Sequence, residues 1–129
     1  MTTKRSILLV DDDADVRESV AEVLEEDGYR VTAASNGKEA LRLLRDGNLR
    51  PDLILLDIMM PEMDGWAFRG EQQKDPRIAS IPVVVFTAHG APRDIAKQLD
   101  AAGFLKKPLS LDELLSTIDR VPPRQAAEP

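Results

Sequence analysis

The chain has no cysteine, which excludes disulfides and thiolate metal sites together. It has no basic excess either. Seventeen Lys and Arg stand against 23 Asp and Glu, a formal net charge of −6, so direct nucleic-acid binding is not the default expectation. No stretch approaches the roughly 18 uninterrupted apolar residues of a membrane span. Residues 1–5 lead straight into an apolar run and leave no room for a signal peptide, so a cytoplasmic location away from membranes is expected. There is no internal repeat and no linker to a second domain. What is present is ordinary for one soluble domain: 129 residues, 43% apolar and 31% charged, enough for a full core.

The chain is organised around Asp57 and the run before it, Asp52-Leu-Ile-Leu-Leu-Asp57. Leu53 to Leu56 show no polar alternation, so they read as a strand buried on both faces, as in a parallel sheet. Pro61 and Asp64-Gly65 then end the strand and turn the chain. This puts Asp57 at the carboxyl end of a central strand, the edge where open α/β sheets bind ligands. A buried carboxylate there needs a partner, because an unpaired one is expensive.

The remaining elements follow from the same signals. Ile7 to Val10 is a second buried strand, ending in Asp11-Asp12-Asp13. Val16, Val20, Val23 and Leu24 recur with helical period until Gly28. Arg30 to Ala34 reads as a short strand, and Asn36 with Glu39 as a capping box opening a helix through Leu41 and Leu44. A helix carrying Trp66 and Phe68 follows Gly65 and stops near Asp75-Pro76, with Gly70 a poor choice in its middle. Pro82 to Phe86 is the third buried strand, ending at Thr87, and Pro92 suits the start of a helix through Ile95, Ala96 and Leu99. Gly103 to Leu105 is a brief strand before Lys106-Lys107-Pro108. Ser110 with Glu113 caps a last helix striped by Leu111, Leu114, Leu115 and Ile118. A folded domain over residues 5–120 is expected, with residues 121–129 a disordered tail. Five strand–helix units imply a parallel sheet with helices on both faces.

The unusual polar residues all follow strands: Asp11 and Asp12, Asp57, Thr87 and Lys107. Parallel strands bring these ends to one edge. Three carboxylates held together repel one another and need a cation. An all-oxygen set with room for water suits a hard ion, magnesium before calcium. With a lysine and a hydroxyl nearby, this is equipment for handling a phosphoryl group. Asp57 is the best nucleophile, since aspartate can form an acyl phosphate.

These residues carry a resemblance. Val10-Asp11-Asp12, Asp57 with Met60-Pro61 and Met63-Asp64-Gly65, Thr87-Ala88 and Lys107-Pro108 resemble the receiver domain of bacterial response regulators, in order and in spacing, from residue 5 to about residue 120. The resemblance implies a flavodoxin-like (βα)5 three-layer sandwich with a five-stranded parallel sheet in the order 2-1-3-4-5. It implies that Asp57 accepts a phosphoryl group from a sensor histidine kinase or a histidine phosphotransfer protein. Asp12 would bind Mg2+ (or Mn2+) directly, Asp11 largely through water, Asp57 through a carboxylate oxygen and Met59 through its backbone carbonyl. Thr87 and Lys107 would each hold a phosphoryl oxygen. Lys107-Pro108 would be cis. Phe104 would be the switch aromatic that turns inward with Thr87, and the fourth helix, fifth strand and fifth helix would be the output surface for an unknown downstream protein. With no output domain in sight, a stand-alone phosphoacceptor rather than an enzyme is expected.

Three departures from the family pattern bear on the output surface. The segment from Thr87 to Lys107 is short, so the fourth helix should be short or displaced. Arg69-Gly70 replaces a more helix-favouring, often apolar, pair, and Asp100 stands near a frequent glycine. Simpler readings also stand beside the sharper ones. Asp13 fits a helix N-terminus, Trp66 and the Met59, Met60 and Met63 group fit packing, and His89 fits an exposed loop side chain, although His89 and Met59 could border the path of the hydrolytic water. Two other functions compete. A phosphatase of the haloacid dehalogenase type resembles this strand-end nucleophile, but its Asp-x-Asp would need an acid where Met59 stands. A degenerate receiver that only binds partners would not need Asp11, Asp12, Asp57, Thr87 and Lys107 together.

Overall fold

The computed structural model describes residues 5–60, 62–88 and 90–121. Pro61, His89 and the expected tail from residue 122 lie outside them. In chain order the elements are β1 (Ser6–Val10), α1 (Ala14–Glu26), β2 (Arg30–Ala34), α2 (Gly37–Arg45), β3 (Leu53–Asp57), α3 (Gly65–Lys74), β4 (Val83–Thr87), α4 (Pro92–Leu99), β5 (Gly103–Lys106) and α5 (Leu111–Arg120). All the strand pairs are parallel, and the order is β2-β1-β3-β4-β5.

The unbroken apolar runs have a direct structural cause. Alternate residues of each strand feed two separate cores. Leu8, Val10, Ile54, Leu56, Val83 and Val85 pack with Leu41 and Leu44 of α2, Phe68 of α3, and Ala96 and Leu99 of α4. Ile7, Leu9, Leu53, Leu55, Val84 and Phe86 pack with Val20 and Leu24 of α1, and Leu114 and Ile118 of α5. Both faces of the sheet are therefore covered, and each fully buried leucine or isoleucine contributes roughly 1.5–3 kcal/mol. Among the described residues no helix is long and apolar enough to cross a membrane.

Helix starts follow the capping residues. Asp13 accepts from the Asp15 and Val16 amides, Asn36 from Glu39, Asp64 from Ala67 and Ser110 from Glu113. The expected box at Asn36 differs in one respect. Glu39 Oε1 accepts from the Ser35 amide, at 2.7 Å, rather than from Asn36. Two further details depart from expectation. Leu111 is 52% exposed although Leu114 and Ile118 are buried, because helical period sets the direction of a side chain but not how far the sheet reaches beneath it. Val121, assigned to the tail, is buried, and its carbonyl accepts from Arg5 at 3.0 Å.

α4 is short, eight residues, with Pro92 in its first turn and no side-chain cap. It ends at Asp100 in the left-handed conformation, φ 54°, where glycine would be easier. The two departures at Arg69 and Asp100 are parts of one structure. Buried Arg69 donates through Nε to the Leu99 carbonyl (2.9 Å), through Nη2 to the Asp100 carbonyl (2.9 Å) and through Nη1 to Gln72 Oε1 (2.7 Å). Gln72 in turn donates to the Ile78 and Ile81 carbonyls. This network ties α3 to the end of α4 and to the loop before β4.

Gly70 behaves differently. A Cβ placed there meets nothing within 4 Å, and its φ is not positive-handed. Gly70→Ala is therefore expected to raise stability by about 0.5–1 kcal/mol, through reduced freedom of the unfolded chain. A urea midpoint unchanged or lowered in the variant would refute this.

Candidate functional site

The register sets the geometry of the site. Val10 pairs with Leu56, which brings Asp11 beside Asp57, while Asp57 pairs with Phe86 and Thr87 with Lys106. The loop after β3 is held close to the strand. The Gly65 amide donates to the Ile58 carbonyl at 2.9 Å, and a Cβ on Gly65 would stand 2.8 Å from Ile58 Cα and 3.0 Å from the Asp57 carbonyl oxygen. Only glycine allows α3 to begin this close to the phosphoacceptor candidate.

Asp11, Asp12 and Asp57 each present an oxygen within 4.8 Å of the others, and among the described residues they form the one group able to hold a metal ion. Asp11 is fully buried and Asp57 is 3% exposed, whereas Asp12 is exposed. Asp11 Oδ1 accepts from the Asp13 amide and its carbonyl from Arg17 Nη1, both at 2.8 Å. Asp57 Oδ1 accepts from the Met59 amide at 3.3 Å. The all-oxygen donor set, two members of it desolvated, fits a hard divalent cation.

Lys107 enters from the end of β5. Its Nζ lies 2.8 Å from Asp11 Oδ2 and 3.5 Å from Asp57 Oδ2. It also stands 4.8 Å from the centroid of the Phe86 ring. The backbone is fixed beside it: the Lys107 amide donates to the Thr87 carbonyl at 3.0 Å, and the Lys107-Pro108 peptide is cis. One ammonium cannot balance three carboxylates. Burial first, then the charge of Asp11, push the Asp57 carboxyl up from its ordinary value to about 6, against the pull of Lys107 and the Met59 amide. For Lys107, burial alone would lower the ammonium, but the Asp11 hydrogen bond and the charges of Asp57 and Asp11 win and hold it above its usual value.

Thr87 is fully buried at the end of β4, next to this cluster. Met59 lends its amide to Asp57 and leaves its side chain 56% exposed. Phe104 lies away from the cluster on β5, 40% exposed, with the Arg93 guanidinium 5.7 Å from its ring centroid. Sequence reasoning missed Arg17, Arg93 and Phe86 as neighbours of these groups. For Phe86 the contact is set by the sheet register, which no local stretch of sequence reveals. Phe86 faces the same core as Leu105, its register partner, and Lys107 follows Leu105 by one alternation.

Residues 7–119 match the family described as the response regulator receiver domain. The response regulator Rre1 of Synechocystis sp. is 41% identical over 125 residues, covering 95% of this chain and 53% of its own length. The chain spans about half the length of the curated relatives it matches. Among solved structures, the signal receiver domain of a signal transduction histidine kinase from Syntrophus aciditrophicus is 38% identical, with a TM-score of 0.79, covering 92% of this chain and 89% of that one. The chemotaxis protein CheY4 of Vibrio cholerae is 31% identical, with a TM-score of 0.82, covering 93% of this chain and 100% of that one.

Proposed function

The chain belongs to the response regulator receiver domain family, and from that premise we propose that Asp57 is its phosphoacceptor, served by a histidine kinase or a histidine phosphotransfer protein. One observation carries this reading: a nearly buried aspartate at the end of the central strand has a lysine ammonium 3.5 Å away and two more carboxylates within 4.8 Å. An Asp57 carboxylate oxygen attacks the phosphorus of a phosphohistidine. The new O–P bond forms as the P–N bond breaks, and the imidazole leaves with the electron pair.

Asp11, Asp12, Asp57 and the Met59 carbonyl would hold Mg2+, or Mn2+. The bound cation would neutralise phosphoryl oxygens and lower the repulsion among the carboxylates. Lys107, its ammonium 3.5 Å from Asp57 Oδ2, would pair with one phosphoryl oxygen, and Thr87, at the end of the neighbouring strand, would hydrogen-bond another. Burial first, and then the charge of Asp11, raise the Asp57 carboxyl, and a divalent cation bound there would favour its ionised form. The output surface in this reading is α4, β5 and α5. Phe104 starts outward there, under Arg93, and would turn in as Thr87 follows the phosphoryl group. The protein acts as a cytoplasmic signalling domain, not an enzyme with a separate substrate, and its downstream partner is a protein rather than nucleic acid or membrane.

The test is intact mass after incubation with acetyl phosphate, with and without Mg2+. A gain of one phosphoryl group that needs Mg2+ and is absent in Asp57→Asn is the expected result. No adduct, together with no spectral response to beryllium fluoride, would overturn the reading. Turnover of small phosphate esters would instead favour a phosphatase.

A further inference from the structure

The phosphoacceptor reading gives roles to Asp11, Asp12, Asp57, Thr87 and Lys107 at the strand ends but none to the Phe86 ring. Phe86 is fully buried, the penultimate residue of β4, paired in register with Asp57 on one side and Leu105 on the other. A leucine would keep that core position apolar, though with less volume. What an aromatic ring adds is a negative π face, and the Lys107 ammonium lies 4.8 Å from its centroid.

The value of this contact depends on what else holds Lys107. Without a metal, Asp11 at 2.8 Å and Asp57 at 3.5 Å do so. A divalent cation on those two carboxylates would share their charge and repel the ammonium at the same time. Lysine is a compact charge on a flexible four-carbon stem, and this one is 20% exposed, so a route to solvent is open. The ring is the one neighbour among these three for which a metal does not compete. Resting on the phosphoacceptor reading, we propose that Phe86 is a positioning residue: its ring keeps the Lys107 ammonium over the end of β4 once a divalent cation has taken Asp11 and Asp57. The ammonium is then already in place when the phosphoryl oxygen arrives, which is how preorganised charge accelerates such a step.

The test replaces Phe86 in the full chain by mono-, di- and trifluorophenylalanine, which weaken the π face with little change of shape, and by leucine. Two quantities are read. The first is the ring-current shift of the Lys107 side-chain resonances in the unphosphorylated protein, before and after Mg2+. The second is the rate of phosphorylation by acetyl phosphate at saturating Mg2+. The expected result is an upfield shift of the Lys107 resonances that survives Mg2+ in the wild type and is lost in Phe86→Leu. The rate should fall stepwise with fluorine number, by about threefold to thirtyfold in total, and should not depend on fluorine in a Lys107→Met background. If the wild type takes up phosphoryl on Asp57 while the fluorinated series is flat, or if Mg2+ abolishes the shift, the role of Phe86 is overturned and the phosphoacceptor stands. A wild type that takes up no phosphoryl group overturns the phosphoacceptor reading and this proposal with it.

Discussion

Asp57→Asn is expected to stabilise the metal-free protein at pH 7 by roughly 1–3 kcal/mol, since a carboxyl raised by about two pKa units opposes folding by up to about 3 kcal/mol when ionised. The asparagine has nearly the same shape and keeps an oxygen for the Met59 amide, but it has no charge to desolvate beside Asp11. The pH dependence follows from the direction of the shift. In the unfolded chain Asp57 titrates near 3.8, and in the folded chain near 6. Between those values the folded state binds more protons, so stability falls as pH rises through the window, and above about 6 the penalty is constant. The Asn variant should lack this segment of the curve.

A divalent cation should reverse the order. Only the folded chain gathers Asp11, Asp12 and Asp57 within 4.8 Å, so Mg2+ stabilises the wild type by mass action and the variant much less. Urea unfolding of both proteins from pH 4.5 to 7.5, in chelator and in millimolar Mg2+, checks both claims. Equal stabilities at pH 7 in chelator would mean that the strand-end carboxylates are not under electrostatic strain.

The same strain explains why the site was legible in the sequence. A core that needs only to fold would not end three strands in Asp11, Asp57 and Lys107, so these residues stand out against uniformly apolar runs. Parallel pairing then forces their ends together. The strands themselves were legible because Leu53 to Leu56 and Val83 to Phe86 are buried on both faces. Their order was not. Periodicity says that strands alternate with helices, and the order 2-1-3-4-5 came from the resemblance. Contacts between residues distant in sequence were also illegible. Phe86 read as an ordinary strand residue because nothing local reveals that Lys107 crosses its ring. Arg69 read as a misfit in an apolar position because its acceptors, Leu99 and Asp100, lie 30 and 31 residues away. Leu111 matched its helical stripe in angle and still stayed exposed.

Arg69 also gives the largest expected loss. Arg69→Ala should cost roughly 3–5 kcal/mol, because it removes three hydrogen bonds from one buried charged donor, each worth about 1.5–3 kcal/mol before the site relaxes. The side chain is 6% exposed, and burial pulls its guanidinium below its usual value, against the charge of Asp100. Its removal leaves the Leu99 and Asp100 carbonyls and Gln72 Oε1 without these donors. Two of those acceptors are at the C-terminal end of α4, where a cation also opposes the helix dipole. Arg69→Lys should recover little, because one ammonium cannot reproduce a planar fork that reaches three oxygens. The loss should also be uneven across the fold. α4 is only eight residues long and has no side-chain cap at its start, so the clamp at its end adds to the core packing of Ala96 and Leu99 in holding it. Hydrogen exchange should therefore show the α4 amides losing protection before those of β3 or β4, whose hydrogen bonds lie in the middle of the sheet. A variant within about 0.5 kcal/mol of the wild type would show that the network is incidental. Uniform loss of protection would show that Arg69 holds the whole fold rather than α4.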